Sequence, residues 1–263
     1  MQDWQLFTSP PFWVIFIGTL VLVLVSVEGG YSWARYRQKR GAETPEQEKE
    51  AAVGAMVGTV LGLLALLLAF SFSKAADHYH ARRVALFDEA SAIRTMYSRA
   101  ALVAEPQRTE IRNTLRDYVG DRLLWNGSDR TRPPASPELL NRLSAQATAV
   151  WEKNPSPQVV ALIVGGVNDL VRLNAERMEV ARSRVPGAVW VVLYAIAALS
   201  LGAMGYHCGV TGTTRSPVML GVGIVFSLVI VLIVDLDRPG DGWITVHQDS
   251  LIEVSNELAQ SKP

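Results

Sequence analysis

The stretch LALLLAFSFSKAADHYHARR, residues 64–83, decides the fold because it passes from apolar to charged without a break. Its first half is almost purely Leu, Ala and Phe, whereas its second half carries Lys, Asp, His and Arg. No Pro or Gly interrupts it, so the pattern favours one continuous helix. A single helix over residues 53–104 would be about 78 Å long at 1.5 Å per residue. We expect it to join a membrane span rigidly to an aqueous domain, since a flexible tether would be rich in Gly and Ser.

Four apolar runs contain no Asp, Glu, Lys or Arg; they cover residues 11–27, 51–73, 188–210 and 217–234. About 20 apolar residues cross the hydrocarbon core as a helix. A helix also satisfies its own backbone hydrogen bonds where no water is present. The runs therefore predict a multi-pass integral membrane protein whose partner is the lipid bilayer.

The predicted fold is all-α, with four transmembrane helices in two pairs and a helical extramembrane domain between the second and third spans. The boundaries are 1–73 for the first pair with its loop, 74–187 for the helical domain, 188–236 for the second pair and 237–263 for a C-terminal tail. Within the domain, Ser136-Pro137 and Ser156-Pro157 are typical helix starts. After the second start, apolar residues at helical spacing predict a buried stripe: Val159, Leu162, Ile163, Val167, Leu170 and Leu173.

A row of residues spaced four apart runs along the second span. Its small members, Gly54, Gly58 and Gly62, would allow another helix to approach closely. Beyond them the row continues through Leu66, Phe70 and Lys74. Two interpretations stay open: a packing stripe inside one subunit, or a ring about the axis of a homo-oligomer. In the second case an apolar constriction would gate a pore by dewetting.

Basic residues follow the same helix beyond the span, namely Lys74, Arg82 and Arg83. Residues 74–187 contain 17 Lys and Arg against 13 Asp and Glu, a net charge of +4. A basic vestibule would raise the local anion concentration. The alternative is a solvated face whose basic residues pair with Asp and Glu.

Other candidate chemistry is limited. Asp235, Asp237 and Asp241 alternate as the ligands of a Ca²⁺ loop do, but no following Glu completes an EF-hand pattern. A helix-ending turn is the alternative interpretation. No catalytic motif is found, so we expect neither enzyme activity nor a cofactor. The net charge of zero argues against nucleic acid as a partner.

Three motifs resemble the bestrophin-like membrane family, whose members are distant relatives of the bestrophin anion channels. FSFSKAADHYHARRVALFDEASAIRTMYSRA follows the second span, VNDLVRLNAERMEVARSRVP precedes the third, and DLDRPGDGWITV follows the last. The division of the four spans into two pairs agrees with the resemblance. These features together reach most of the chain.

The resemblance implies a homo-oligomer, expected to be a pentamer, that conducts inorganic anions through a pore lined by the second span. The pore positions then correspond to Gly62, Leu66 and Phe70, and the bulky residue typical of the family is missing at Gly62. A non-conducting scaffold or sensor remains the alternative function. A coupled transporter is disfavoured because the spans contain no charge.

Two features of the sequence predict opposite membrane orientations. Basic residues in the short first loop favour that loop in the cytosol, whereas the resemblance places the helical domain there. We expect a bacterial inner-membrane protein with a cytoplasmic helical domain. We also expect subunit contacts through Phe87, Ile93, Tyr97 and the stripe that ends at Leu173.

Overall fold

The computed structural model describes residues 11–40, 47–125, 137–153, 156–212, 217–238 and 242–260; the side chains of 47–50, 52, 153 and 217–220 are left out of the description. This part contains eight α-helices and no strand, which confirms the all-α prediction. The helices are α1 Phe12–Lys39, α2 Gln47–Ala100, α3 Gln107–Leu123, α4 Pro137–Lys153, α5 Pro157–Arg182, α6 Gly187–Thr211, α7 Pro217–Asp237 and α8 Asp249–Gln260.

Three helical segments of the described chain are long and apolar enough to cross a membrane: Phe12–Lys39, Val53–Ala100 and Pro157–Thr211. The third includes both α5 and α6, and the predicted span at 188–210 lies in α6. The fourth predicted span forms α7, in which the side chains of residues 217–220 are not described. The arrangement of four spans in two pairs therefore stays a prediction.

Helix α2 is continuous, as the absence of Pro and Gly from residues 64–83 predicted. It contains 54 residues, which corresponds to about 81 Å at 1.5 Å per residue. It ends at Ala100, four residues before the predicted end.

The chain divides into two compact units, and the division falls within α2. The first unit comprises Met1–Asp77 and Arg184–Arg238, and the second comprises His78–Ser183 and Pro239–Pro263. We call them the membrane unit and the helical unit.

The membrane unit is held together by α1, which packs against α6 and α7. Its core contains Val23, Leu193, Leu201 and Ile230, all almost fully buried. The backbones of α1 and α6 touch: a Cβ built on Gly205 would lie 2.0 Å from the carbonyl oxygen of Val27. Only Gly permits such an approach.

The helical unit has a core made by helices α2, α3, α4, α5 and α8. Helix α8 contributes Leu251, Val254 and Leu258 to this core. It lies in the region predicted as a C-terminal tail, although its apolar residues at spacings of three and four are typical of an amphipathic helix. Helix α8 is thus an integral part of the helical unit.

Helix α5 begins with Pro157, as predicted, and Ser156 is its N-cap residue. The Ser156 hydroxyl makes no capping bond to the helix and instead contacts Oε1 of Gln158 at 3.1 Å. Of the predicted stripe, Ile163, Val167, Leu170 and Leu173 are buried. Leu162 is 41% exposed, whereas Val160 is buried, so the buried face is rotated relative to the prediction.

The predicted subunit contacts need a correction. Ile93, Tyr97 and Leu173 are buried inside the chain, with 0%, 6% and 6% of their surface exposed. These side chains are unavailable for contacts between subunits because they are buried within the helical unit. Phe87, by contrast, is 61% exposed.

Candidate functional site

The three predicted pore residues lie on an exposed face of α2. Leu66 and Phe70 are 51% and 64% exposed, respectively. Gly62 is also exposed, and a Cβ added there would meet no atom within 4 Å. No described residue of the same chain therefore covers this row.

The other residues of the row, which are spaced four apart, differ in what surrounds them. A Cβ on Gly58 would also lie in open space, whereas a Cβ on Gly54 would lie 3.2 Å from Nε2 of His207 on α6. Of the three glycines in the row, Gly54 alone approaches another helix among the described residues. Lys74, at the other end, is exposed.

The other face of α2 is packed. Its buried residues recur at spacings of seven, four, three and four, which places them on one side of the helix: Leu64, Ser71, Ala75, His78 and Arg82. This face anchors α2 in the chain and leaves the row with Leu66 and Phe70 available to lipid, to water or to a second copy.

The predicted vestibule residues differ in exposure. Lys74 and Arg83 are exposed, but Arg82 is buried, with 9% of its surface accessible. Farther along the helix, Arg94 binds Glu257 of α8 through two hydrogen bonds of 2.7 and 3.0 Å. The exposed basic groups at the membrane end of this segment are therefore Lys74 and Arg83.

The acidic motif at the C-terminal end of α7 contains two buried carboxylates. Asp235 and Asp237 are 1% and 5% exposed. The Asp237 carboxylate accepts hydrogen bonds from the backbone N–H of Val185, at 3.0 and 3.2 Å, and so holds the link that precedes α6. Asp241, the third candidate metal ligand, lies outside the described residues. Among those described, no group of three or more His, Cys, Asp or Glu side chains is placed to hold a metal ion.

A buried ion cluster lies in the helical unit at Glu89 of α2. The Tyr118 hydroxyl donates to Oε1 of Glu89 at 2.6 Å, and Nη2 of Arg122 donates to Oε2 at 2.7 Å. Arg177 of α5 donates to the same carboxylate. The guanidinium groups of Arg122 and Arg177 also lie 5.6 and 5.3 Å from the ring of Trp125. The cluster ties α2, α3 and α5 together.

Burial and charge oppose each other at Glu89. Burial raises the pKa of this carboxyl, but the adjacent guanidinium groups of Arg122 and Arg177 outweigh it and leave the pKa below its usual value. Burial, together with the charge of Glu89, raises the pKa of Tyr118 well above its usual value. The cluster at neutral pH thus contains one carboxylate, two guanidinium groups and one neutral phenol.

The sequence alone does not reveal this cluster. Glu89 and Arg177 occur in two of the motifs that carry the resemblance. Periodicity places each residue on a helix face but cannot bring together positions 89, 122 and 177. A charged residue at an otherwise apolar helix position, such as Arg122 on the buried face of α3, was the available signal.

Comparison with known proteins gives a family and a fold. Residues 22–251 match the family described as Bestrophin-like domain. No curated protein matches the sequence.

Solved structures of low sequence identity have the same fold. A crystal structure described as a membrane protein aligns with a TM-score of 0.71 at 13% identity, over 94% of this chain and 97% of the other. A mutant bacterial Bestrophin homolog from Klebsiella pneumoniae aligns with a TM-score of 0.69 at 13% identity, again over 94% and 97%. Another mutant of a Klebsiella homolog aligns at 0.68 and 15% identity, over 92% and 97%.

Proposed function

Because this chain belongs to the bestrophin-like family, we propose that it is an anion channel that assembles as a homo-oligomer, a pentamer, around an axial pore. The family and the shared fold support an ion channel in general terms. The observation that carries the finer proposal is the exposure of Gly62, Leu66 and Phe70 on a helix whose other face is packed.

In this proposal, Leu66 and Phe70 form two successive apolar rings about the axis. Adjacent members of the row are about 6 Å apart along the helix, at 1.5 Å per residue. An apolar constriction resists wetting and thereby controls ion passage. Gly62 has no side chain to narrow the pore, so the constriction lies at Leu66 and Phe70.

The proposed anion preference rests on exposed positive charge at the end of the row. Lys74 lies four residues beyond Phe70, and Arg83 is exposed farther along the same helix. A site lined by one sign of charge concentrates the opposite ion. These two residues therefore make up the accessible part of the vestibule, and Arg82 contributes from a buried position.

We further propose that residues 1–73 and 188–236 supply the four spans, and that residues 74–187 lie in the cytosol next to a bacterial inner membrane. The support is the resemblance of the motifs, together with the basic residues that flank both junctions of the helical domain. Labelling of single cysteines introduced at exposed sites such as Arg83, after replacement of Cys208, tests this orientation in intact cells.

The pore assignment is tested by substituting Leu66→Ala and Phe70→Ala in the full-length protein. We expect the double variant to raise chloride flux in proteoliposomes several-fold, because smaller side chains widen the rings. Its stability should change by less than about 1 kcal/mol, as for other exposed positions. Flux, thermal unfolding and particle mass are measured on the same preparations.

The control is Leu199→Ala on α6, because Leu199 is 72% exposed and lies outside the row. It should leave flux unchanged. If flux is unaltered in the double variant, the row faces lipid or another helix. An oligomer that conducts no ions, with or without the substitutions, would favour the scaffold function instead.

A further inference from the structure

An open groove lies between α1, α2 and α6 in the membrane unit, with a volume of about 530 Å³. This is within the range of small-molecule sites. Its floor is made of small residues, among them Gly29, Gly30 and Gly202. Its walls include Trp33, Met56 and Leu199, which are 66%, 67% and 72% exposed.

The chemistry of the groove suits a hydrocarbon chain. All three helices that form it contain predicted membrane spans, and no Asp, Glu, Lys or Arg lines it. A slot of this kind, open to the side within a bilayer, is accessible to lipid tails. The floor exists because α1 and α6 cross through their glycines: a Cβ on Gly30 would lie 1.9 Å from the carbonyl oxygen of Gly202.

A positively charged residue, Arg37, lies near one end of the groove. Arg37 lies one helical turn beyond Trp33, and residues four apart share a helix face. Arg37 is exposed and stands in the last turn of α1. By the same geometry Arg35 lies on the other side of α1, where its guanidinium group is 5.7 Å from the ring of Tyr31. Aromatic residues followed by basic residues are typical of the membrane–water interface.

We propose that this groove binds a phospholipid, with an acyl chain against the glycine floor and the phosphate at Arg37. The apolar slot and the adjacent cation match the two parts of such a molecule, because an Arg guanidinium group forms strong charge-assisted hydrogen bonds to phosphate oxygens. Lipid binding at this site does not require ion conduction. A result against the proposed channel would therefore leave the lipid site untouched, and the reverse also holds.

Native mass spectrometry of the delipidated full-length protein tests the site. Phosphatidylglycerol is added in one series, and diacylglycerol with the same chains in another. Wild type should bind phosphatidylglycerol in preference to diacylglycerol. Arg37→Gln should reduce that preference several-fold, whereas Arg35→Gln, on the other side of α1, should retain it.

Gly29→Leu tests the acyl-chain part, because it adds a branched side chain to the groove at a position where a Cβ would meet no atom within 4 Å. This variant should bind less of both lipids. The matched control is Gly18→Leu, since Gly18 also has open space and lies outside the groove.

Equal lipid binding by the two leucine variants would overturn the proposal. So would a change in particle mass for Gly29→Leu alone, which would assign the groove to a second copy of the chain. If Gly29→Leu fails to fold, the comparison of Arg37→Gln with Arg35→Gln decides.

Discussion

Glu89 is held by three neighbours on two other helices, and its charge is paired entirely inside the helical unit. Removing a carboxylate and two guanidinium groups from water costs several kcal/mol per ion. That cost is offset only when the partners are close and hydrogen-bonded, as Tyr118 and Arg122 are. The arrangement thus depends on every member being present.

Replacement of Glu89 by Gln keeps the shape of the side chain and removes its charge. Arg122 and Arg177 would then remain buried beside each other without a counter-ion. We expect a loss of about 3–5 kcal/mol in the free energy of unfolding, the cost of breaking a buried pair. Denaturant unfolding of the detergent-solubilised chain, followed by circular dichroism, measures it.

The same substitution changes the pH dependence of stability. The pKa of Glu89 is lower in the folded chain than the value of about 4.3 for an unfolded Glu. Its contribution is therefore present above about pH 4.3 and is lost as the pH falls through the folded pKa. Wild type should lose stability in this acid range, and Glu89→Gln should lose less. Glu253→Gln is the control, because Glu253 is exposed and lies 3.6 Å from Arg94. An equally small effect of both substitutions would contradict the role of the cluster.

Among the helices, the pair α1 and α6 shows the closest approach described here. Gly205 and Gly209 of α6 face the backbone of α1 at Val27 and Tyr31. Such contacts gain van der Waals energy from close backbones, which is the main source of helix association in lipid. Of the glycines at 54, 58 and 62, only Gly54 has a neighbouring side chain among the described residues. A close approach of a second copy at Gly58 and Gly62 stays a prediction.

Gly205→Ala tests the crossing. Its Cβ would lie 2.0 Å from the carbonyl oxygen of Val27, so the two helices must separate. We expect a loss of at least about 1–3 kcal/mol, as for overpacked cores, and a lower thermal midpoint. A Cβ added at Gly18 would lie in open space. Gly18→Ala should therefore leave the free energy of unfolding unchanged or raise it by up to about 1 kcal/mol. Equal midpoints for the two variants would mean that α1 and α6 are not in backbone contact.

At the scale of the whole molecule, charge is distributed unevenly although the total is zero. Residues 74–187 carry a net charge of +4, and part of it is neutralised internally, for example at Arg94 by Glu257. Lys74 is exposed and continues the row of Leu66 and Phe70. In an assembled ring each subunit would contribute one such ammonium group near the axis.

Lys74→Gln should therefore lower the preference for anions over cations. The expected shift is several-fold in the permeability ratio, and it should diminish at high salt because screening shortens the range of the charge. Reversal potentials in planar bilayers with unequal chloride concentrations measure it. Arg172→Gln is the control, since Arg172 is exposed and paired with Glu176 on the same helix. An unchanged ratio in Lys74→Gln would place Lys74 away from the ion path.

Local pattern was enough to predict the all-helical fold except for α8, the continuity of α2 and the family motifs. Apolar runs and helical spacing are properties of neighbouring residues, and a helix satisfies its hydrogen bonds within its own segment. For the same reason Pro157 identified the start of α5, and Ile163, Val167 and Leu170 identified its buried face. The candidate row at Leu66 and Phe70 could be drawn from spacing, but a core stripe and a pore ring require the same apolar residues.

Tertiary structure decided which of these faces are covered. It buried Ile93, Tyr97 and Leu173 in the core, left Phe70 exposed, and placed Glu89 with two arginines that lie 33 and 88 positions away. It also placed Gly205 of α6 against the backbone of α1 and brought α8 into the helical unit. The physical reason is that spacing defines the direction of a side chain on its own helix, whereas burial and charge pairing depend on which other helix lies against it.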